Sequence, residues 1–193
     1  MDSQLILASS SPRRQELLKQ ARISFHIRKP NVDETQIKTK DPYEKVKQLA
    51  QLKGQHVNFQ SPKEVILSAD TVVSFQNQIF EKPKNRDKAY QMISDLSHNV
   101  HEVYTGVMIQ SPEKESTFVV KTEVEFWKLD QDEIHWYVST DDPYDKAGAY
   151  GIQSLGSMFV KQIVGDYYNV VGLPLSRVIR ELKSFGIEPE LEL

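Results

Sequence analysis

The sequence predicts an α/β or α+β domain: an extended mixed sheet flanked by helices, in two lobes. Three observations point there. Helix starts marked by cap residues are interleaved with apolar runs of strand type. Two extended segments, near Val100 to Ile109 and Thr117 to Trp127, are long, and the second alternates in polarity. No internal repeat, low-complexity tract or flexible linker interrupts the 193 residues, so a single domain over 1–193 is expected; at 39% hydrophobic it can bury a genuine core.

Leu5 to Ala8 reads as a short buried strand running into a serine turn. Ser11 then stands as an N-cap with Pro12 at the first helical position, and Leu17, Leu18 and Ala21 supply the helix's apolar face. Phe25 to Arg28 alternates like a strand. Asp41-Pro42-Tyr43-Glu44 carries a carboxylate cap, Pro at N1 and Glu at N3, and Val46, Leu49 and Ala50 form the inner stripe of the helix it starts. Val65 to Leu67 leads through Ser68-Ala69-Asp70-Thr71 into extended Val72 to Phe75 and a Gln76-Asn77 turn, which places Asp70 within or at the end of a buried strand. A helix follows from about Asn85 to Leu96. Asp130 and Glu133 predict a capping box for a short helix through Tyr137. Met158 to Val164 is expected to pair with Tyr167 to Val171 across a Gly165-Asp166 turn, and Pro174 to Phe185 to close the chain as an amphipathic helix stopped by Gly186.

Composition excludes several functions. With 24 basic and 27 acidic residues the net charge is −3, and basic and aromatic residues are not interleaved, so no nucleic-acid partner is expected. Any bound anion must meet a local positive cluster. The absence of cysteine removes disulfides, thiol nucleophiles and cysteine zinc sites. His26, His56, His98, His101 and His135 form no metal-ligand motif. The apolar run at Leu5 to Ala8 is too short for a signal peptide or a membrane span, so a cytoplasmic address and no membrane partner are the default expectations.

Three stretches carry chemical potential, each with a plainer alternative. In Ser9-Ser10-Ser11-Pro12-Arg13-Arg14 a strand ends and a helix begins, presenting free backbone N–H groups, the positive end of the helix dipole and two guanidinium forks to an anion. Locally the same residues also read as an ordinary cap followed by surface charge. Asp70, among Leu67, Ala69, Val72 and Val73, is costly to bury without a partner, a metal or a catalytic task, and a hydrogen-bonded structural aspartate fits as well. Asp145-Lys146-Ala147-Gly148-Ala149-Tyr150-Gly151-Ile152-Gln153 allows close backbone approach, with Lys146 and Gln153 as polar ends suited to a nucleobase, or else makes a structural bend. Asp33-Glu34 and Lys82 gain meaning only in company.

Together these residues resemble the Maf family. SSSPRRQELL, Ser68-Ala69-Asp70-Thr71, Glu81-Lys82-Pro83, Thr105-Gly106-Val107, Asp145 to Gln153, and Gly165-Asp166-Tyr167-Tyr168 with Val171-Gly172-Leu173-Pro174 follow the family's order and spacing over nearly the whole chain. The resemblance implies a fold similar to the inosine triphosphate pyrophosphatases, with a cleft between two lobes and a homodimer. It also implies conversion of a nucleoside triphosphate and water to the monophosphate and pyrophosphate. On matching positions it makes Asp70 the proton acceptor, Arg13 and Arg14 phosphate ligands, Glu34 and Lys82 further active-site members, and Ser9 and Lys53 residues facing the cleft. Arg13, Thr71 and Gln153 resemble the branch that prefers dTTP and UTP, with canonical or modified pyrimidines left open. Glu34 and Asp70 are hard oxygen ligands suited to a divalent cation, Mg²⁺ or Mn²⁺, so Asp70 is expected to act as base, metal ligand or both. The family's link with arrest of cell division sets an alternative, a nucleotide-binding regulator with slow or incidental hydrolysis.

Overall fold

The structure, a computed structural model, describes residues 3–191. Its single sheet contains seven strands among those residues: β1 (Gln4–Leu7), β2 (His26–Ile27), β3 (Glu64–Phe75), β4 (Gln78–Phe80), β5 (Val100–Gln110), β6 (Glu115–Phe126) and β7 (Val160–Val164). Their order is β2-β1-β3-β5-β6-β7, with β4 also on β3. β1 runs parallel to β2 and β3, and the remaining pairs are antiparallel. The mixed sheet flanked by helices is the fold that the order of elements predicts.

Register explains where the cleft lies. β1 covers β3 from Glu64 to Leu67, and β4 covers it from Val73 to Phe75. Between them, Ser68 to Val72 have β5 on one side and, among the described residues, no strand on the other. The Gln76-Asn77 turn that returns β4 uses positive φ at both residues, 49° and 61°, which asparagine tolerates and which suits a tight hairpin.

Among the described residues six α-helices surround the sheet: α1 (Pro12–Gln20), α2 (Pro42–Gln55), α3 (Arg86–Leu96), α4 (Gln131–Tyr137), α5 (Tyr167–Val171) and α6 (Leu175–Lys183). The predicted caps form. Asp41 accepts the Glu44 N–H at 2.8 Å, and Asp130 and Glu133 make both bonds of a capping box. Ser11 takes the capping position of α1, but its hydroxyl makes no capping bond; Ser9 Oγ instead accepts the Ser11 N–H at 3.2 Å.

Tyr167 to Val171 departs from expectation. It is a helix, not the partner of β7, because Asp166 accepts the Tyr168 and Asn169 N–H groups and so caps the turn. Asn169, at the inner side of that turn, donates to the Val103 carbonyl and to Thr122 Oγ1. β7 pairs with β6, and it starts at Val160 because Leu155–Phe159 winds into a 3-10 turn.

Strand alternation puts Val65, Leu67, Ala69, Thr71 and Val73 on one face of β3. Two cores share that face. One packs Leu67 and Val107 against Leu17, Leu18, Val178 and Leu182 of α1 and α6; the other packs Val73, Val103 and Phe126 against Ile93, Ile134 and Tyr137 of α3 and α4. Thr71, Thr105, Thr122 and Asn169 form a polar seam between them.

On the opposite face α2 lies directly on β3 and β5. A methyl group on Gly106 would stand 2.3 Å from the Val46 carbonyl oxygen, and Ser68 Oγ donates to the Ala50 carbonyl at 2.7 Å. Gly106 is the register partner of Asp70, so this close approach also sets how far Lys53 of α2 must reach. No helix among the described residues is long and apolar enough to cross a membrane. Gly106→Ala should lift α2 from the sheet and cost about 1–3 kcal/mol in urea unfolding, the usual cost of overpacking; a loss within a few tenths of a kcal/mol would contradict the close approach.

Candidate active site

β1 delivers the chain to the open stretch of β3. Ala8 N–H bonds the Leu67 carbonyl at 2.8 Å, one step beyond the ladder, and Ser9 to Ser11 then turn into α1. The crevice therefore lies beyond the carboxyl end of a parallel strand and at a helix N-terminus, where backbone N–H groups lack partners within the helix. A cavity of about 680 Å³ occupies this position. All ten residues proposed from the sequence line it: Ser9, Arg13, Arg14, Glu34, Lys53, Asp70, Thr71, Lys82, Lys146 and Gln153. Lys29 brings the basic residues on its wall to six, against Glu16, Glu34, Asp70 and Asp145, so a chain of net charge −3 has concentrated positive charge here.

Asp70 lies in the middle of β3 with its side chain 13% exposed, and Lys53 Nζ approaches its Oδ1 to 2.5 Å. The same ammonium lies 3.1 Å from Glu34 Oε1. Glu34 reaches it from a 3-10 turn, Glu34–Gln36, fixed by Asp33, whose carboxylate accepts the Thr35 N–H and hydroxyl. Two carboxylates thus converge on one cation.

The two neighbouring arginines differ. Arg13 Nη1 pairs with Asp145 Oδ2 at 2.9 Å across the cleft. Arg14 donates to the Gly172 carbonyl from Nε at 2.8 Å, to Ser9 Oγ from Nη1 at 3.3 Å and to Thr71 Oγ1 from Nη2 at 3.1 Å. These acceptors orient the guanidinium without neutralising it. Desolvation lowers its proton affinity below the ordinary value, an effect that Asp70 opposes and Arg13 reinforces, and a guanidinium stays charged regardless.

The opposite wall is the loop from Asp142 to Ser154. Gly148 adopts φ 69°, and a methyl group there would stand 2.8 Å from Val73, so glycine lets the loop lie on β3. Lys146 Nζ, on a side chain 12% exposed, bonds Asp145 Oδ1 at 2.7 Å and the Asp142 carbonyl at 2.6 Å. Asp142 Oδ2 accepts from Tyr137 Oη and Ser154 Oγ, both at 2.9 Å. Burial acts to raise both aspartates, but hydrogen bonds from Ser154 and Tyr137 to Asp142, and from Lys146 and Arg13 to Asp145, outweigh it and hold both below the ordinary range. The sequence alone does not mark Asp142 and Asp145 as partners of these cations. The spacing of Asp142 and Lys146 was a local signal; the contact of Asp145 with Arg13 had none. Gln153 is exposed on the rim, as is Lys82.

Fold and site together define an α/β protein with a large basic cleft between two cores, at the end of a parallel strand. The Maf-like protein family model matches residues 4–185, and the chain belongs to that family. It is 51% identical to a dTTP/UTP pyrophosphatase of Geobacillus sp. strain WCH70 over 183 residues, 95% of this chain and 98% of that protein. Proteins of the same name from Bacillus cereus strain G9842 and Halalkalibacterium halodurans are 50% and 52% identical, with 95% and 94% of this chain and 96% of each relative covered.

Behind the loop, Tyr150 Oη lies 2.8 Å from Nε2 of His101, which is 1% exposed and has no partner for Nδ1 among the described residues. Burial pushes the imidazole down to about 3 and the Tyr150 phenol up, so both are neutral in the folded protein. The unfolded chain binds a proton at His101 below its ordinary value of 6.5, whereas the folded chain binds it only near 3. This contribution to stability is therefore complete above that ordinary value and is lost as pH falls. Between about pH 7.5 and about pH 5.5 the loss should approach 1.4 kcal/mol. His101→Gln, which cannot protonate, should flatten the decline in denaturant unfolding by that amount; an unchanged slope would contradict the assignment.

Proposed function

We propose that this chain hydrolyses dTTP and UTP to the nucleoside monophosphate and pyrophosphate in the cleft between its two cores. The observation that carries the reading is the presence, in one cavity, of a carboxylate pair gripping Lys53 and of Arg14, a guanidinium whose three acceptors are all neutral. The names of the relatives supply the substrates and favour an enzyme over a regulator that only binds nucleotide.

A triphosphate carries roughly four negative charges, and its departing pyrophosphate needs positive charge where it leaves. Arg14 is held ready for a phosphate, while Arg13 must exchange Asp145 for one. Lys82 adds charge from the rim, and Lys146 on the facing wall, like Arg13, is paired with a carboxylate that a phosphate would have to displace. Asp70 accepts a proton from water as the water oxygen bonds the α-phosphorus and the bond from that phosphorus to the bridging oxygen breaks, releasing pyrophosphate. Gln153 stands at the rim, where an amide offers both a donor and an acceptor to a pyrimidine edge.

The donor set fits a hard divalent cation. Glu34 and Asp70 converge on the Lys53 ammonium at 3.1 and 2.5 Å. A magnesium-type cation is commonly held by one or two carboxylates, with substrate phosphate oxygens and water completing its shell. Glu34 and Asp70 would hold Mg²⁺ or Mn²⁺, which when bound supplies charge to the phosphate oxygens and acidifies water.

With either cation, a panel of purified triphosphates should show dTTP and UTP consumed fastest, with pyrophosphate as the primary product; orthophosphate would indicate cleavage of the terminal group instead. Asp70→Asn should keep its fold and lose roughly a hundred- to ten-thousand-fold in turnover, and near-normal activity would remove Asp70 from the reaction.

A further inference from the structure

Hydrogen-bond directions can be assigned through the polar seam beside Arg14. An arginine N–H only donates, so Thr71 Oγ1 accepts from Arg14 Nη2 at 3.1 Å and its own hydrogen must go elsewhere. Thr105 Oγ1 is 2.9 Å away; the Gly172 carbonyl is at 3.5 Å and already accepts from Arg14 Nε. Thr105 Oγ1 lies 3.0 Å from the Asn169 carbonyl, which only accepts. Thr105 therefore donates to Asn169 and accepts from Thr71. The chain runs one way, from Arg14 through Thr71 and Thr105 to the carbonyl of Asn169.

Its far end is fixed. Asn169 is fully buried and its amide nitrogen donates to the Val103 carbonyl and Thr122 Oγ1, both at 3.0 Å. Thr105, on β5 one strand away from the open edge, is itself 0% exposed and does not line the cavity; it reaches the wall only through Thr71. A threonine here is unexpected from packing, since Val103 and Val107 on the same face belong to the two cores.

We infer that Thr105 is a positioning residue: it fixes the direction of the Thr71 hydroxyl and so holds the Arg14 guanidinium in the orientation that meets phosphate. This rests on the reading of Arg14 as a phosphate ligand. Without the Thr105 hydroxyl, the Thr71 hydrogen turns to the Gly172 carbonyl and competes there with Arg14 Nε, loosening two of the three bonds that orient the fork.

The test is calorimetric titration of inorganic pyrophosphate into the full chain, with unfolding free energy measured alongside. Thr105→Val should weaken binding about tenfold, as expected for disturbing a hydrogen bond to a charged group. Thr105→Ser, which keeps the hydroxyl, should stay within about twofold of the parent, and Thr122→Val, which breaks the seam beyond the chain to Arg14, should lose stability yet bind within about twofold. If Thr105→Val fails to fold, Thr105→Cys, with a weak thiol donor, carries the test with an expected loss of severalfold. Unchanged binding in Thr105→Val overturns the inference, as does equal weakening in Thr105→Val and Thr122→Val in step with stability. Failure of the parent chain both to bind pyrophosphate and to hydrolyse triphosphates would overturn the phosphate reading of Arg14 and this inference together.

Discussion

The open edge of β3 is the constraint on which the rest of the structure depends. A strand buried in a sheet satisfies its backbone on both sides, yet between Leu67 and Val73 this one is paired, among the described residues, only with β5. β1 ends where the gap begins and β4 starts where it closes, so the chain must fill the space with polar groups. Lys53 comes to Asp70 on the α2 face; Arg14 comes to Thr71 on the other. The cleft is this gap, and the two cores lie on either side of it.

Partners distinguish an arginine locked to a carboxylate from one held by neutral acceptors. Arg28 grips Glu64 through two bonds, 2.7 and 2.9 Å, with Glu64 4% exposed; this closed, bidentate pair holds the guanidinium above its ordinary proton affinity and the carboxyl below its own. Arg14 has the same chemistry but only neutral acceptors. Arg13 lies between these cases, paired with a carboxylate on the facing wall that a phosphate would have to displace.

Features set by neighbours along the chain were legible in the sequence. Asp41 and Asp130 cap their helices because the whole motif lies within four residues. The segment Tyr167 to Val171 reads as a strand because tyrosine and valine favour strands, while the two facts that make it a helix are the Asp166 cap, which the sequence shows, and the burial of Asn169 beside β5 and β6, which it does not. Site residues could be named individually, but not their pairing. Lys53 meets Asp70 because α2 packs on Gly106, and Arg13 meets Asp145 from the far end of the chain, so both contacts required the register of the sheet. Thr105 stands in the sequence as part of the Thr105-Gly106-Val107 stretch of an extended segment; its place in the seam emerges only when β3, β5 and α5 are together.

In the proposed reaction the cleft directs water to the α-phosphorus, with pyrophosphate leaving toward the arginine wall. Hydrolysis of dTTP in water labelled with heavy oxygen, followed by mass spectrometry of both products, tests it most directly. The label is expected in the nucleoside monophosphate and not in pyrophosphate. Label in pyrophosphate would mean attack at the β-phosphorus and would contradict the placement of Asp70 as the base for this reaction.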